Sequence, residues 1–199
     1  MDVLFATTNP AKVRRFKLPL AEEGINLLSI SDIKKKIDVK EDGKDALENA
    51  IIKARAYYNL TKLITIGMDD NLFIEGIPDD KQPGTFVRRV NGKELNDDEM
   101  IEYYSNLVKE HGGKLKAKWV YGIAICNGKE EKTLTWNKSH FYLTDKPNSK
   151  RNPGYPLDSI SISPKFNKYF VELTAEEKLE INKESSETEV IKFLIDNIK

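Results

Sequence analysis

Three short stretches carry side chains whose types and spacing could do chemistry. The first is Thr7-Thr8-Asn9-Pro10-Ala11-Lys12, which follows the apolar run 3–6. It reads as a strand turning into a helix, where free backbone N–H groups meet the positive end of a helix dipole. Two hydroxyls, an amide and a lysine add donors to that surface, and the combination suits a phosphate. The same residues also make an ordinary helix start, since Asn9 can cap and Pro10 fits the first helical position. Neither G-x-x-x-x-G-K-[ST] nor G-x-G-x-x-G occurs in the chain. The second stretch is Asp69-Asp70-Asn71, which closes the apolar run 63–68. Carboxylates resist desolvation unless a cation or donors compensate them. Ligands of α/β sheets gather at the carboxyl ends of strands, and Mg²⁺ prefers acidic oxygen ligands. An Asp-Asp-Asn turn that simply reverses the chain is the competing reading. The third stretch, Glu48-Asn49-Ala50-Ile51-Ile52-Lys53-Ala54-Arg55, sets Asn49 and Lys53 one helical turn apart. Taken alone, its polar residues read as the solvated face of an amphipathic helix.

The elements that must position these residues follow from periodicity and punctuation. A helix after Asn9 carries Val13, Phe16 and Leu20 on one face, and Pro19 should kink or end it. A strand is expected over 25–30 and a charged stretch over 32–45. The clearest helix repeats Leu47, Ala50, Ile51, Ala54 and Tyr58. Asn96 caps a helix over 97–110 whose inward face is Met100, Tyr104, Leu107 and Val108. Strands over 119–126 and 132–142 are joined through Asn127-Gly128, a pair suited to a type I′ hairpin turn. A proline-bearing loop spans 144–156. Thr174…Glu177 and Ser186…Glu189 have capping-box spacing, each opening a terminal helix. Strands alternating with helices, then a hairpin, indicate a mixed-sheet α/β fold in one piece, a single domain over 1–199.

Bulk composition narrows the function classes. With 199 residues, 39% hydrophobic, and 32 basic against 32 acidic residues, the chain can build a core but has no global basic field for nucleic acid. One cysteine, Cys126, excludes an intramolecular disulfide. No stretch approaches the ~18 apolar residues of a membrane span, and the N-terminus lacks a signal-peptide pattern. The expectation is a cytoplasmic protein that binds neither nucleic acid nor membrane.

Taken together and in order, TTNPAK, ENAIIKAR, MDDN, PGTFVRR, Gly154-Tyr155 and Glu177-Lys178 resemble the inosine triphosphate pyrophosphatase family, over residue 1 to about 181. The resemblance implies an α/β fold with a mixed central sheet flanked by helices, elongated and two-lobed with a cleft between the lobes. It implies a homodimer and hydrolysis of a nucleoside triphosphate, such as a non-standard purine one, to the monophosphate and pyrophosphate. Mg²⁺ would be the cofactor, with Mn²⁺ as a substitute. By position, Thr7, Asn9 and Lys12 match a phosphate-gripping T-x-N-x-x-K, with Thr8 and Asn71 as neighbouring phosphate donors. Lys53 matches the lysine after E-N-A. Asp70 matches the metal ligand and proton acceptor, with Asp69 beside it. Glu41 is the nearest candidate for a second metal ligand, although strict spacing from Gly43 selects Lys40. Tyr155, Lys178 and Lys183 match positions lining the nucleoside.

The chain departs from that pattern where the base would be read. The family's S-H-R is here Asn182, Lys183 and Glu184, its glutamate three residues after the first lysine is Arg15, and its F-G-Y-D-P is Pro153-Gly154-Tyr155-Pro156-Leu157-Asp158. A glutamate accepts hydrogen bonds where an arginine fork would donate them, favouring an amino-bearing base edge. Asp69-Asp70-Asn71-Leu72 also stands where the family continues D-D-S-G-L, so the phosphate-handling half is mostly retained and the base-reading half rewritten. The alternative function is therefore a nucleotide-binding relative that has lost catalysis or changed its base.

Overall fold

Val3, Leu4 and Phe5 are wholly buried, so the chain opens on an interior strand. The computed structural model describes residues 1–137, 140–183 and 187–199, and the side chains of all these but 182, 183 and 187. In chain order the elements are β1 (Asp2–Phe5), α1 (Pro10–Glu22), β2 (Asn26–Ser29), α2 (Ala46–Thr61), β3 (Ile64–Ile74), β4 (Arg89–Val90), β5 (Lys93–Glu94) and α3 (Asp97–Glu110). They continue with β6 (Lys114–Cys126), β7 (Glu131–Asn137), β8 (Phe141–Thr144), β9 (Ser161–Ser163), β10 (Lys168–Tyr169), α4 (Ala175–Lys183) and α5 (Glu187–Ile198). The strands form a mixed sheet in the order β10-β9-β8-β6-β3-β1-β2, with β7 paired to β6. β1 is parallel to both β2 and β3, whereas β6, β8, β9 and β10 pair antiparallel in succession. The expected α/β class with a mixed, helix-flanked sheet is what forms.

Two compact units divide the chain. Met1–Asp70, Val120–Trp136 and Ser186–Lys199 make the first, and Asn71–Trp119 with Asn137–Ser185 the second. In the first unit the strand order β2-β1-β3 makes the two crossovers run in opposite directions. Parallel crossovers are right-handed, so α1 and α2 fall on opposite faces of these strands. Small residues bring α2 unusually close. A Cβ at Gly67 on β3 would lie 2.0 Å from the Ala50 carbonyl oxygen, and one at Gly122 on β6 2.5 Å from Leu47 backbone atoms. Ala50 and Ala54 complete that contact with Ala124 and Cys126. In the second unit α3 presents Met100, Tyr104, Leu107 and Val108 to a cluster with Leu72, Ile74, Phe141, Leu143 and Ile160, as its periodicity predicts. Asn96 and Glu99 close the capping box at its start.

Several expected boundaries move. β3 does not stop at Met68 but runs on to Ile74, because Leu72 and Ile74 continue the buried alternation past the acids. α1 passes through Pro19 to Glu22 instead of ending there. The inward face of α2 is Ala46, Asn49, Ala50, Ala54 and Tyr57, one step round from the expected stripe. The β6–β7 hairpin closes over 127–130 rather than by a two-residue type I′ turn: only Gly128 has positive φ there, and Asn127 Oδ1 accepts from the N–H groups of Lys129 and Glu130. The expected strand over 132–142 is β7 and β8, and 138 and 139 lie outside the described residues. Thr174 and Glu177 bond reciprocally at the start of α4, while the cap expected at Ser186 lies outside the described residues.

Candidate active site

β1 pairs with β3 only over Ile64–Ile66, so Asp69 and Asp70 lie where β1 has ended and its chain has turned into α1. That turn is locally determined. Asn9 Oδ1 accepts from the Ala11 N–H at 2.9 Å, and Thr7 Oγ1 accepts from the Asn9 N–H at 3.1 Å. Pro10 takes the first helical position, where its missing N–H costs nothing. Capping therefore occupies Thr7 and Asn9, while Thr8 is exposed. Lys12 sits in the first turn, and its Nζ pairs with Asp70 Oδ1.

Successive side chains of a strand point to opposite faces. Asp70 accordingly meets α1, and Asp69, two residues from Gly67, meets α2. Lys53 Nζ lies 3.2 Å from Asp69 Oδ1 and 3.2 Å from Glu41 Oε2. Asn49, one turn earlier, donates from Nδ2 to Asp69 Oδ2 at 2.9 Å and accepts at Oδ1 from the Gly43 N–H at 2.9 Å. The side chains of Lys12, Lys53, Asp69, Asp70 and Glu41 are 12–25% exposed, partly desolvated but reachable from solvent. Three carboxylates thus face two lysines, and Arg15 adds a third cation that acts on Asp70. The Arg15 guanidinium lies 5.0 Å from the Phe16 ring centroid, 5.7 Å from Tyr121 and 5.9 Å from Trp136, the last two rings stacked at 5.0 Å.

The two adjacent acids are driven apart electrostatically. Burial raises the Asp69 carboxyl above its ordinary value, and neighbouring Asp70 adds to this against the opposing pull of Lys53, Lys12 and Asn49. Burial also works against Asp70 ionisation, but Lys12, with help from Lys53 and Arg15, outweighs it and holds Asp70 below its ordinary value. The two neighbouring carboxyls are thus shifted in opposite directions by their surroundings.

The sequence-expected residues do not all come together. Lys12, Lys53, Asp69, Asp70 and Glu41 come together in the first unit. Glu41, not Lys40, is the residue brought to Lys53, since Lys40 is solvent-exposed and paired with Asp42. Asn71 continues β3, buried, with its Oδ1 unpartnered. Tyr155 and Lys178 belong to the second unit and are exposed. The Lys183 side chain and Glu184 lie outside the described residues. Asn49, which the sequence places on a solvated helix face, is instead 1% exposed. Its place at the helical spacing of Ala46, Ala50 and Ala54 was the available signal. Arg88, in the PGTFVRR stretch, donates to Leu95 O and to Asp97 Oδ1 at the start of α3.

Among the described residues no three His, Cys, Asp or Glu side chains gather as a metal cage. Mg²⁺ does not require one, because it commonly takes one or two carboxylates together with substrate phosphates. The Asp70, Asp69 and Glu41 oxygens have that chemistry.

The family model described as the Ham1 family matches residues 3–187. The chain belongs to the Ham1 family. It is 32% identical to a dITP/XTP pyrophosphatase of Bacillus licheniformis, over 97% of this chain and 95% of that one. It is also 32% identical to a dITP/XTP pyrophosphatase of Aquifex aeolicus, over 92% and 90%. The Ham1 protein of Staphylococcus aureus has a similar fold, with a TM-score of 0.78 at 24% identity over 99% of this chain and all of that one. A HAM1 protein of Coxiella burnetii gives 0.79 at 23% identity over 98% and 99%. Among the described residues of this Ham1-family chain, no helix is long and apolar enough to cross a membrane.

Proposed function

We propose that this Ham1-family chain hydrolyses a nucleoside triphosphate to the monophosphate and pyrophosphate, removing non-standard nucleotides from the precursor pool. The observation that carries this reading is the pairing of Lys12 with Asp70 and of Lys53 with Asp69 and Glu41, where β1 has given way to α1. The dITP/XTP pyrophosphatase activity of the similar proteins supports it.

Hydrolysis at the α-phosphorus needs neutralised phosphate oxygens, an oriented water and a stabilised leaving pyrophosphate. A divalent ion such as Mg²⁺, held by Asp70 with Asp69 or Glu41 as partner, would supply charge neutralisation and a more acidic water. Lys12 and Lys53, partnered by these carboxylates, turn their ammonium groups to the polyphosphate and neutralise the leaving group. The N–H groups that open α1 add donors for the same anion. Asp70, at the position that matches the family's proton acceptor, is assigned to take the proton of the attacking water, with Asp69 beside it. Tyr155, Lys178 and Lys183 are assigned to the nucleoside, and the functional unit is assigned as a cytoplasmic homodimer.

Pyrophosphate release measured over dITP, XTP and the ordinary nucleoside triphosphates, with Mg²⁺ or Mn²⁺, tests the reading. Turnover of at least one of them, abolished by Asp70→Asn, is expected. Binding without turnover would instead make the chain a nucleotide-binding relative that has lost catalysis. Light scattering on a sizing column tests the dimer.

A further inference from the structure

We infer that Asn49 is a positioning residue, a two-way amide clamp that orients Asp69 and fixes the loop bearing Glu41. The inference deepens the proposed function and rests on it. Asn49 is 1% exposed, and an amide buried to that degree must find partners on both sides. Its Oδ1 is taken by the Gly43 N–H and its Nδ2 by Asp69 Oδ2, each at 2.9 Å. Lys53, one turn along α2, closes a ring by touching the other oxygen of Asp69 and the carboxylate of Glu41, two residues before Gly43. Asp69 therefore has both oxygens held from α2, one by an amide and one by an ammonium.

Two glycines make this geometry attainable. Gly67 lets the α2 backbone lie directly on β3, bringing Asn49 within reach of a carboxylate two residues further along the same strand face. Gly43 is needed at the other end, because a Cβ there would lie 2.8 Å from Asn49 Oδ1 and 2.7 Å from Glu48 Cβ. The amide cannot be replaced by its acid. Asn49→Asp keeps an acceptor for the Gly43 N–H but sets a carboxylate against Asp69 where a donor is required.

Full-length Asn49→Ala, Asn49→Asp, Gly43→Ala and the Asn49→Ala/Gly43→Ala double variant, assayed with the triphosphate that the wild type hydrolyses best, test the clamp. A positioning role predicts that kcat falls about 10- to 100-fold for Asn49→Ala and Asn49→Asp, with KM within about threefold, the usual range for outer-shell partners. The double variant should lose no more than about threefold beyond the worse single, since both substitutions break one device. A merely structural role would instead lower the melting temperature while kcat per folded molecule stays near wild type, and that result overturns the inference. A second arm needs no turnover: in an unfolding cycle of Asn49→Ala and Asp69→Ala, the clamp requires strong non-additivity, and additive shifts overturn it. Should the wild type hydrolyse no triphosphate, the functional reading falls and this cycle alone decides the clamp.

Discussion

Around β3, Lys12, Lys53, Glu41, Asp69 and Asp70 all face partners on α1, α2, β3 or the loop before α2, and none is more than a quarter exposed. Tyr155 and Lys178, in the second unit, stand on the surface of a loop and a short helix. The first group is organised before any ligand arrives. Polyphosphate chemistry depends on charge held within fractions of an ångström, and close helix-to-strand contacts supply that rigidity. In the loop that carries Tyr155, Asn152 Nδ2 donates to Asp158 Oδ2 at 2.7 Å. Such a surface can change side chains with little disturbance to the core. The departures from the family pattern at 153–155 fall in that second unit, on its partly to fully exposed loop.

The largest expected effect falls on the organised group. Asp70→Asn, Lys53→Ala or Lys12→Ala should each lower kcat/KM by about 2–4 kcal/mol of transition-state stabilisation, roughly 30- to 900-fold, in a pyrophosphate-release assay. A loss under tenfold at all three positions would place the chemistry elsewhere.

Next in size is a split between the two acids in stability. The Asp70 carboxyl is held low in the folded chain, so its ionised form stabilises the fold above the ordinary carboxylate pKa. That contribution disappears as pH falls through the folded value. Asp69 has the opposite sign: its raised folded value favours the fold below the ordinary pKa and loses that contribution as pH rises through the raised value. At neutral pH, therefore, Asp70→Asn should destabilise by about 1–3 kcal/mol, a discounted value for a partly exposed pair, by stranding Lys12. Asp69→Asn should have the opposite sign and raise the melting temperature. Both differences from wild type should vanish on acidification below the ordinary aspartate range. Melting curves from pH 3 to 8 check the signs, and a destabilising Asp69→Asn would remove the distinction drawn between the acids.

The smallest effects belong to the exposed group. Tyr155→Ala and Lys178→Ala should leave the melting temperature within about 2 °C, as surface substitutions do. They should change the ratio of kcat/KM values between bases by no more than about tenfold, or 1.4 kcal/mol. Assay over a panel of triphosphates measures that ratio. A collapse of all turnover by either variant would show that the second group is as tightly engaged as the first.

Sequence alone determined the local events. The Asn9-Pro10 helix start, the Asn96/Glu99 capping box and the inward face of α3 are set by residues a few positions apart, and all are present in the fold. The candidate lysines and acids were legible by type and order. What the sequence could not fix was which polar residue faces inward, since that depends on what lies opposite. Asn49 is buried because Gly67 lets β3 approach and because Asp69 and Gly43 satisfy its amide there. The passage of β3 through its acids was likewise hidden, because only tertiary lysines make mid-strand carboxylates tolerable. Propensity acts along the chain and is readable there, whereas compensation of buried charge acts across it and is decided when the elements meet.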